Sequence, residues 1–153
     1  MEAIEAKLDY SFKNRGLLVN ALTHSSYANE NRGRSCESNE RLEFLGDSVL
    51  GLVVADALYR RFPDMPEGRM TRMRAQLVCE ESLHHVASEL GLGEYMRLGR
   101  GEEHTGGRSR TSILADAVEA LIAAMDLDGG MGVASRVITG HILSPLDGGY
   151  GAS

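Results

Sequence analysis

Two cysteines, Cys36 and Cys79, are all that a chain of 153 residues carries. Their separation fits neither a disulfide framework nor a zinc-ligand spacing, and they read as reduced thiols. The N-terminus, Met1 to Lys7, has neither the basic stretch nor the apolar segment of a secretory leader. No apolar run reaches the roughly 20 residues that a membrane helix needs. These absences lead us to expect a soluble, cytoplasmic protein with no membrane partner. Lysine is scarce as well: Lys7 and Lys13 are the lysines among 16 basic residues, the rest being arginines, against 22 acids and a net charge of −6. That sum does not by itself suggest a nucleic-acid partner, whose phosphates attract positive charge. Internal repeats, low-complexity blocks and strand-length runs of alternating polarity are missing too, which leaves helix as the expected regular element.

Helical periodicity is what the sequence does contain. A hydrophobic content of 42% supplies one real core, and the length leaves no room for a second full domain. We expect an all-α domain over residues 1–146 and a flexible tail or linker start over 147–153, where glycines dominate. Leu17, Leu18, Ala21, Leu22 and Ser25 trace an early helix. A long helix begins near Asn39 and runs until Pro63 and Pro66 break it. Met70, Met73, Leu77 and Val78 mark another, and Leu83, Val86, Ala87 and Leu90 a further one that stops at Gly91. Gly99 to Arg110 reads as polar loop. A second acidic helix then runs to Asp126, and a last helix spans about Val133 to Leu143 before Pro145.

The most informative stretch is Asn39-Glu40-Arg41-Leu42-Glu43-Phe44-Leu45-Gly46-Asp47-Ser48. Ser38 or Asn39 supplies an N-cap, and Glu40 falls in the first turn, where the helix dipole favours an anion. Leu42, Leu45, Val49, Leu52 and Val53 recur at three- and four-residue steps and form an apolar stripe. At about 100° per residue, Glu40, Glu43 and Asp47 share a neighbouring sector. Glu43 and Asp47 are like charges at i,i+4, which costs an isolated helix a few tenths of a kcal/mol. A second pair, Asp116 and Glu119, lies on the far side of the stripe formed by Leu114, Val118, Leu121, Ile122 and Met125. Its neighbours are Ala115, Ala120 and Ala123, so no local cation is available and another helix can approach closely. Four carboxylates converging without cations suit a hard divalent ion, Mg²⁺ or Mn²⁺ in preference to zinc. His24, His84, His85, His104 and His141 show no competing ligand spacing.

These two blocks resemble bacterial ribonuclease III, the double-stranded-RNA endonuclease. The family signature reads almost without change in Asn39 to Ser48. The second family block is visible in Ile113 to Leu121 followed by Asp128-Gly129-Gly130. Ala21 to Tyr27, Glu67-Gly68 with Arg72 to Ala75, and Gly106-Gly107-Arg108 agree as well, so the resemblance runs from about Leu8 to Leu143. It implies that residues 1–146 are a catalytic domain of that helical fold. It makes Glu43, Asp47, Asp116 and Glu119 the metal ligands, with Asp47 and Glu119 catalytic, and Glu40 and Glu67 auxiliary acids of the active-site valley. The implied reaction is hydrolysis of duplex RNA, with Mg²⁺ or Mn²⁺, to 5′-phosphate and 3′-hydroxyl ends, in the processing of ribosomal and other RNA. The usual bacterial enzyme continues into a linker and a double-stranded-RNA-binding domain, whereas this sequence stops at Ser153. Asp126 stands where the family often has an aromatic residue.

Phe44 sits more than a quarter turn from the centre of the apolar stripe. Its position fits either a peripheral core residue or an interface. Ribonuclease III domains pair through this helix, so the resemblance implies a homodimer with Phe44 at its interface and two acid clusters along one groove. Arg108 and Arg110, in the glycine-containing loop before the second acidic helix, are the expected contacts to the RNA backbone. Two other readings fit the acid spacing: an all-helical Mg²⁺-dependent nucleotide pyrophosphohydrolase, and a non-catalytic RNA-binding relative. The glycine and arginine loop weighs against the first, and retention of all four acids against the second.

Overall fold

Glycines, prolines and buried polar caps divide the chain into short helices around two long ones. The computed structural model describes residues 2–34 and 36–147, and among these the α-helices are α1 (Glu2–Leu8), α2 (Arg15–Ala21), α3 (Ser25–Glu30), α4 (Glu40–Arg61), α5 (Glu67–Val78), α6 (Glu80–Leu90), α7 (Arg100–His104), α8 (Thr111–Gly129), α9 (Met131–His141) and α10 (Ser144–Asp147). Single 3₁₀ turns occupy Arg32–Arg34, Leu92–Tyr95 and Gly107–Ser109. No strand forms among the described residues, and Thr23 and Arg97 make an isolated parallel bridge. The expected all-α class is observed. No helix among them is long and apolar enough to cross a membrane.

The second acidic helix, α8, is the centre of the domain. Ile113, Leu114, Ala115, Ala117, Val118 and every residue from Ala120 to Met125 are buried, so the helix is apolar nearly all round, as a helix enclosed by others must be. The main helices around it are α4, α6 and α9. Helix α8 ends three residues later than expected, at Gly129, where Gly130 takes φ 93°. Its last turn is tied down: the Asp128 carboxylate accepts the amides of Lys13 and Asn14, each at 2.9 Å, and the hydroxyl of Tyr10. A Cβ on Gly129 would come within 2.6 Å of that hydroxyl. The Asp128-Gly129-Gly130 block is therefore a fastening of α8 to the segment before α2.

Several expectations are corrected. The early helix splits in two, because Leu22 to His24 leave helical geometry to bond Arg97: the Arg97 amide donates to the Leu22 carbonyl at 2.8 Å and the His24 amide to the Arg97 carbonyl at 3.1 Å. Ser25 thus opens α3. Leu52, assigned to the buried stripe, is 60% exposed; the buried face of α4 is made by Leu42, Gly46, Val49, Leu50, Val53, Val54 and Leu58. Leu45 is half-buried. Asn39 takes the N-cap position of α4 without capping through its side chain, which instead donates to the Ala21 carbonyl at 3.0 Å, while Ser38 Oγ accepts the Glu40 amide. The polar stretch after Gly99 contains α7, a helix invisible to periodicity because it has no apolar stripe; its first amide donates to Glu30 at 2.7 Å. Helix α1 was not anticipated either, and seven residues burying Ile4 and Leu8 are too few to show a pattern. Pro145 does not end the last helix. It sits in the first turn of α10, where its missing amide is no loss. Of the expected tail, Asp147 belongs to α10, and residues 148–153 lie outside the described residues.

Candidate functional site

Where α4 crosses α8, a glycine removes the side chain that would hold them apart. A Cβ built on Gly46 would lie 1.8 Å from the Glu119 carbonyl oxygen. The two helices therefore meet backbone to side-chain-free backbone at the very turn that carries the acids. Ala120 and Ala123, both fully buried, keep the α8 side of the contact small. The consequence is convergence: carboxylate oxygens of Glu43, Asp116 and Glu119 lie within 4.8 Å of one another, all three residues half-buried. Asp47, one helical turn beyond Glu43 and exposed, shares a hydrogen bond with Glu119. All four sequence-predicted ligands are thus in one place.

Burial and mutual repulsion raise the carboxyls of this group. Burial pushes the Glu43 carboxyl up to about 7, reinforced by the charge of Asp116 and a hydrogen bond to it, and by Glu40 and Asp47. Burial pushes Glu119 up to about 8, reinforced by its hydrogen bond to Asp47 and by the charges of Asp47, Glu43 and Asp116. Asp116 is raised too, by burial above all and then by Glu80, while Glu43 and His24 favour its ionised form. Glu43 is thus paired with Asp116, and Glu119 with Asp47, across the space between the helices. The ion pairs of Arg15, Arg41, Arg60, Arg108, Arg110 and Arg136 go to acids outside the four. A half-buried donor set made wholly of carboxylate oxygens fits a hard divalent ion, whose binding displaces protons from its ligands.

The other expected site residues are more dispersed. Glu40, exposed in the first turn of α4, adds its charge to Glu43 and accepts from Ser38 Oγ at 3.0 Å, which places it at the edge of the cluster. Glu67 does not enter the cluster within one chain; it opens α5 beside a small hollow shared with Tyr59, Met70 and Arg74. Arg108 and Arg110 are committed inside the chain. Arg108 donates to the carbonyls of Gly93 and Met96 at 2.9 and 2.8 Å and to Glu103 at 2.6 Å. Arg110 donates to Glu102 at 3.0 Å and to the Thr105 carbonyl at 3.0 Å. Phe44 is 80% exposed on a face of α4 that also presents Leu52 and Tyr59.

Three neighbours of the site escaped the sequence reading. Gly46 left a usable signal, an isolated glycine inside a strong helical pattern. Glu80, at the start of α6, and His24 gave none, since only the tertiary fold brings them toward Asp116.

A family model described as ribonuclease-III-like matches residues 14–146. The chain is 53% identical over 135 residues to ribonuclease 3 of Caldanaerobacter subterraneus, covering 88% of this chain and 59% of that protein. It is 50% identical over 146 residues to ribonuclease 3 of Oceanobacillus iheyensis, covering 95% of this chain and 64% of that one. The chain thus spans roughly three fifths of the length of these curated relatives. Among solved structures, the nuclease domain of ribonuclease III from Campylobacter jejuni, described for flexibility in a region involved in dimer formation, superposes with a TM-score of 0.86 at 40% identity, covering 94% of this chain and 96% of that one. Dicer from Pichia stipitis superposes with a TM-score of 0.66 at 27% identity, covering 94% of this chain and 60% of that one.

Proposed function

The chain belongs to the ribonuclease-III-like family, and from that premise we propose that it is the catalytic part of a metal-dependent endonuclease that hydrolyses double-stranded RNA to 5′-phosphate and 3′-hydroxyl ends. The observation that carries this reading is the convergence of Glu43, Asp116 and Glu119, with Asp47 bonded to Glu119. Glu43, Asp47, Asp116 and Glu119 would hold Mg²⁺, with Mn²⁺ as substitute. Such an ion supplies an activated water and stabilises charge on the leaving oxygen of an in-line displacement. The protein's own part is geometry: Gly46 sets the distance between the acid pairs, and packing of α4 on α8 half-buries Glu43, Asp116 and Glu119. Asp47 and Glu119, linked by a hydrogen bond, are the pair placed to move a proton at the reacting oxygen. Glu40 extends the acidic lining, which Glu67 does not reach within one chain. Structured RNAs, ribosomal precursors among them, are the substrates this reading expects.

A second copy of the chain completes the reading. Phe44 at 80%, Tyr59 at 73% and Leu52 at 60% exposure form an apolar strip along α4, and large apolar groups of this kind mark contacts. Beside Phe44 runs a groove of about 680 Å³ lined in part by Leu17, Leu42, Leu45 and the exposed Leu127. A two-fold dimer through this face buries the strip and sets two acid clusters on one surface, suited to the two strands of an A-form duplex read by shape and backbone. Backbone contacts from Arg108 and Arg110 would use the guanidinium nitrogens that their internal bonds leave over, Nη2 of Arg108 and Nη1 of Arg110.

Labelled duplex RNA, single-stranded RNA and nucleoside triphosphates, each incubated with Mg²⁺ or with EDTA, test the substrate class. Mg²⁺-dependent cleavage of the duplex alone is expected. Turnover of triphosphates without RNA cleavage, or duplex binding without cleavage, overturns the reading.

A further inference from the structure

Two arginines that no carboxylate answers line one hollow. Arg34 and Arg97, together with Asn20, Thr23 and Glu37, border a space of about 400 Å³ between α2 and the segment ahead of α4. Arg15, Arg41, Arg108, Arg110 and Arg136 each pair with an acid of the chain. The acid of this hollow, Glu37, is itself paired with Arg41 at 3.7 Å. The exposed side chain of Arg34 has no partner among the described residues. In a chain of net charge −6, uncompensated arginine of this kind is where a polyanion can be held.

Arg97 is mounted for the purpose. Its amide donates to the Leu22 carbonyl at 2.8 Å, and its carbonyl accepts the His24 amide at 3.1 Å. The guanidinium lies 4.3 Å from the centroid of the Tyr27 ring, and Nη1 donates to Oγ1 of buried Thr23 at 3.3 Å. Nε and Nη2 donate to nothing among the described residues. Those two nitrogens are the side of the fork that meets two oxygens of one phosphate, and a fork already held against an aromatic ring loses little freedom on binding. The hollow is also fixed relative to the acids. Asn20 Nδ2 donates to the carbonyls of Glu37 and Ser38, each at 3.0 Å, and the Thr23 carbonyl accepts the Asn39 amide at 2.8 Å. Leu17, Asn20 and Glu37 line both this hollow and the groove that contains Glu40 and Phe44, so the two depressions adjoin and lead to the edge of the acid cluster.

We propose that Arg97 and Arg34 hold a backbone phosphate of the RNA duplex in this hollow, outside the acid cluster, and so anchor the strand beside the metal site. This rests on the duplex-RNA reading above. Contacts to phosphate fix register and orientation and read no sequence, so the anchor acts alike on every duplex.

Arg34→Ala breaks no internal contact and should keep the wild-type melting temperature, while Arg97→Gln removes the fork. Arg136→Ala, whose guanidinium is held by Asp9, is the control for lost net charge. Binding of two duplexes of unrelated sequence is measured in Ca²⁺ between about 50 and 200 mM salt. The Arg97 Nε–H resonance of the wild type is followed by NMR on adding duplex, and separately on adding inorganic phosphate. The expected result is weaker binding in Arg34→Ala and in Arg97→Gln, equal for both duplexes, with a salt slope lower by about one in each, a wild-type slope in Arg136→Ala, and a shift of the Arg97 resonance with duplex. An unchanged slope in either hollow variant, an equal loss in Arg136→Ala, or a resonance moved by inorganic phosphate and not by duplex overturns the anchor alone. A wild-type protein that binds no duplex overturns both the anchor and the substrate class.

Discussion

Gly46→Ala probes the helix crossing that assembles the acid cluster. A methyl group there would begin 1.8 Å from the Glu119 carbonyl oxygen, whereas ordinary contact starts at 3.4 Å, so α4 and α8 must part locally by about 1.6 Å. The obstacle is backbone, which no rotamer change can clear. Overpacking of this kind costs about 1–3 kcal/mol, and Ala returns up to about 1 kcal/mol through its better helix propensity. A net loss of about 1–2 kcal/mol is expected, seen as a fall of about 0.5–1 M in the urea midpoint at a typical slope for a small domain. Function suffers more than folding, because Glu119 moves away from Glu43 with its helix. A displacement on this scale lowers a rate by the order of 10²-fold. Urea unfolding, Mn²⁺ calorimetry and single-turnover cleavage of a labelled duplex make the assay. Gly140→Ala is the control, since a Cβ at that exposed helical position meets nothing within 4 Å, and it should leave cleavage intact while raising stability by up to about 1 kcal/mol. A Gly46→Ala protein with wild-type stability and Mn²⁺ affinity would refute the reasoning.

Three further outcomes follow from the same geometry. Glu43 and Glu119 have folded-state values of about 7 and 8, above their unfolded value of 4.5, so the folded chain holds more protons than the unfolded one between these limits. Stability in EDTA is then full below about pH 4.5 and falls as pH rises through 7 and 8, while Mn²⁺ restores it at the alkaline end; melting curves from pH 5 to 8.5 check this, and a midpoint that rises with pH in EDTA contradicts it. Phe44→Asp places a charge in the proposed dimer contact, which should cost several kcal/mol of association and yield monomers in sedimentation equilibrium; a wild-type monomer at micromolar concentration removes the dimer. Arg108→Ala strips two backbone carbonyls, those of Gly93 and Met96, of their donor and should cost about 1–3 kcal/mol of stability, measured by urea unfolding; an unchanged midpoint would show the contacts to be inconsequential.

The acid pairs were legible because chemistry made them conspicuous: Glu43 and Asp47 lack partners on their own helix, and the alanines around Asp116 and Glu119 announce a close neighbour. The helix end written in Gly91 was legible for the same local reason. What the sequence concealed depends on contacts far along the chain. The break at Thr23 and His24 exists because Arg97 pairs with that segment, and nothing within ten residues announces it. Leu52 has the spacing of a core residue, yet α4 turns it outward toward the strip with Phe44 and Tyr59. The internal partners of Arg108 and Arg110, at Gly93, Met96, Glu102 and Glu103, lie on other turns of the loop and leave no mark in the local pattern.

Glu119→Gln tests the central claim most directly. The substitution keeps the side chain's shape and its hydrogen bond to Asp47 but removes one charge from the ligand set. Wild type and variant are each mixed in excess with end-labelled duplex RNA, binding is measured in Ca²⁺, and a single turnover is started with Mg²⁺. The account predicts equal folding and duplex binding, with cleavage lost by at least the order of 10²-fold in the variant. Cleavage by Glu119→Gln at the wild-type rate would contradict it.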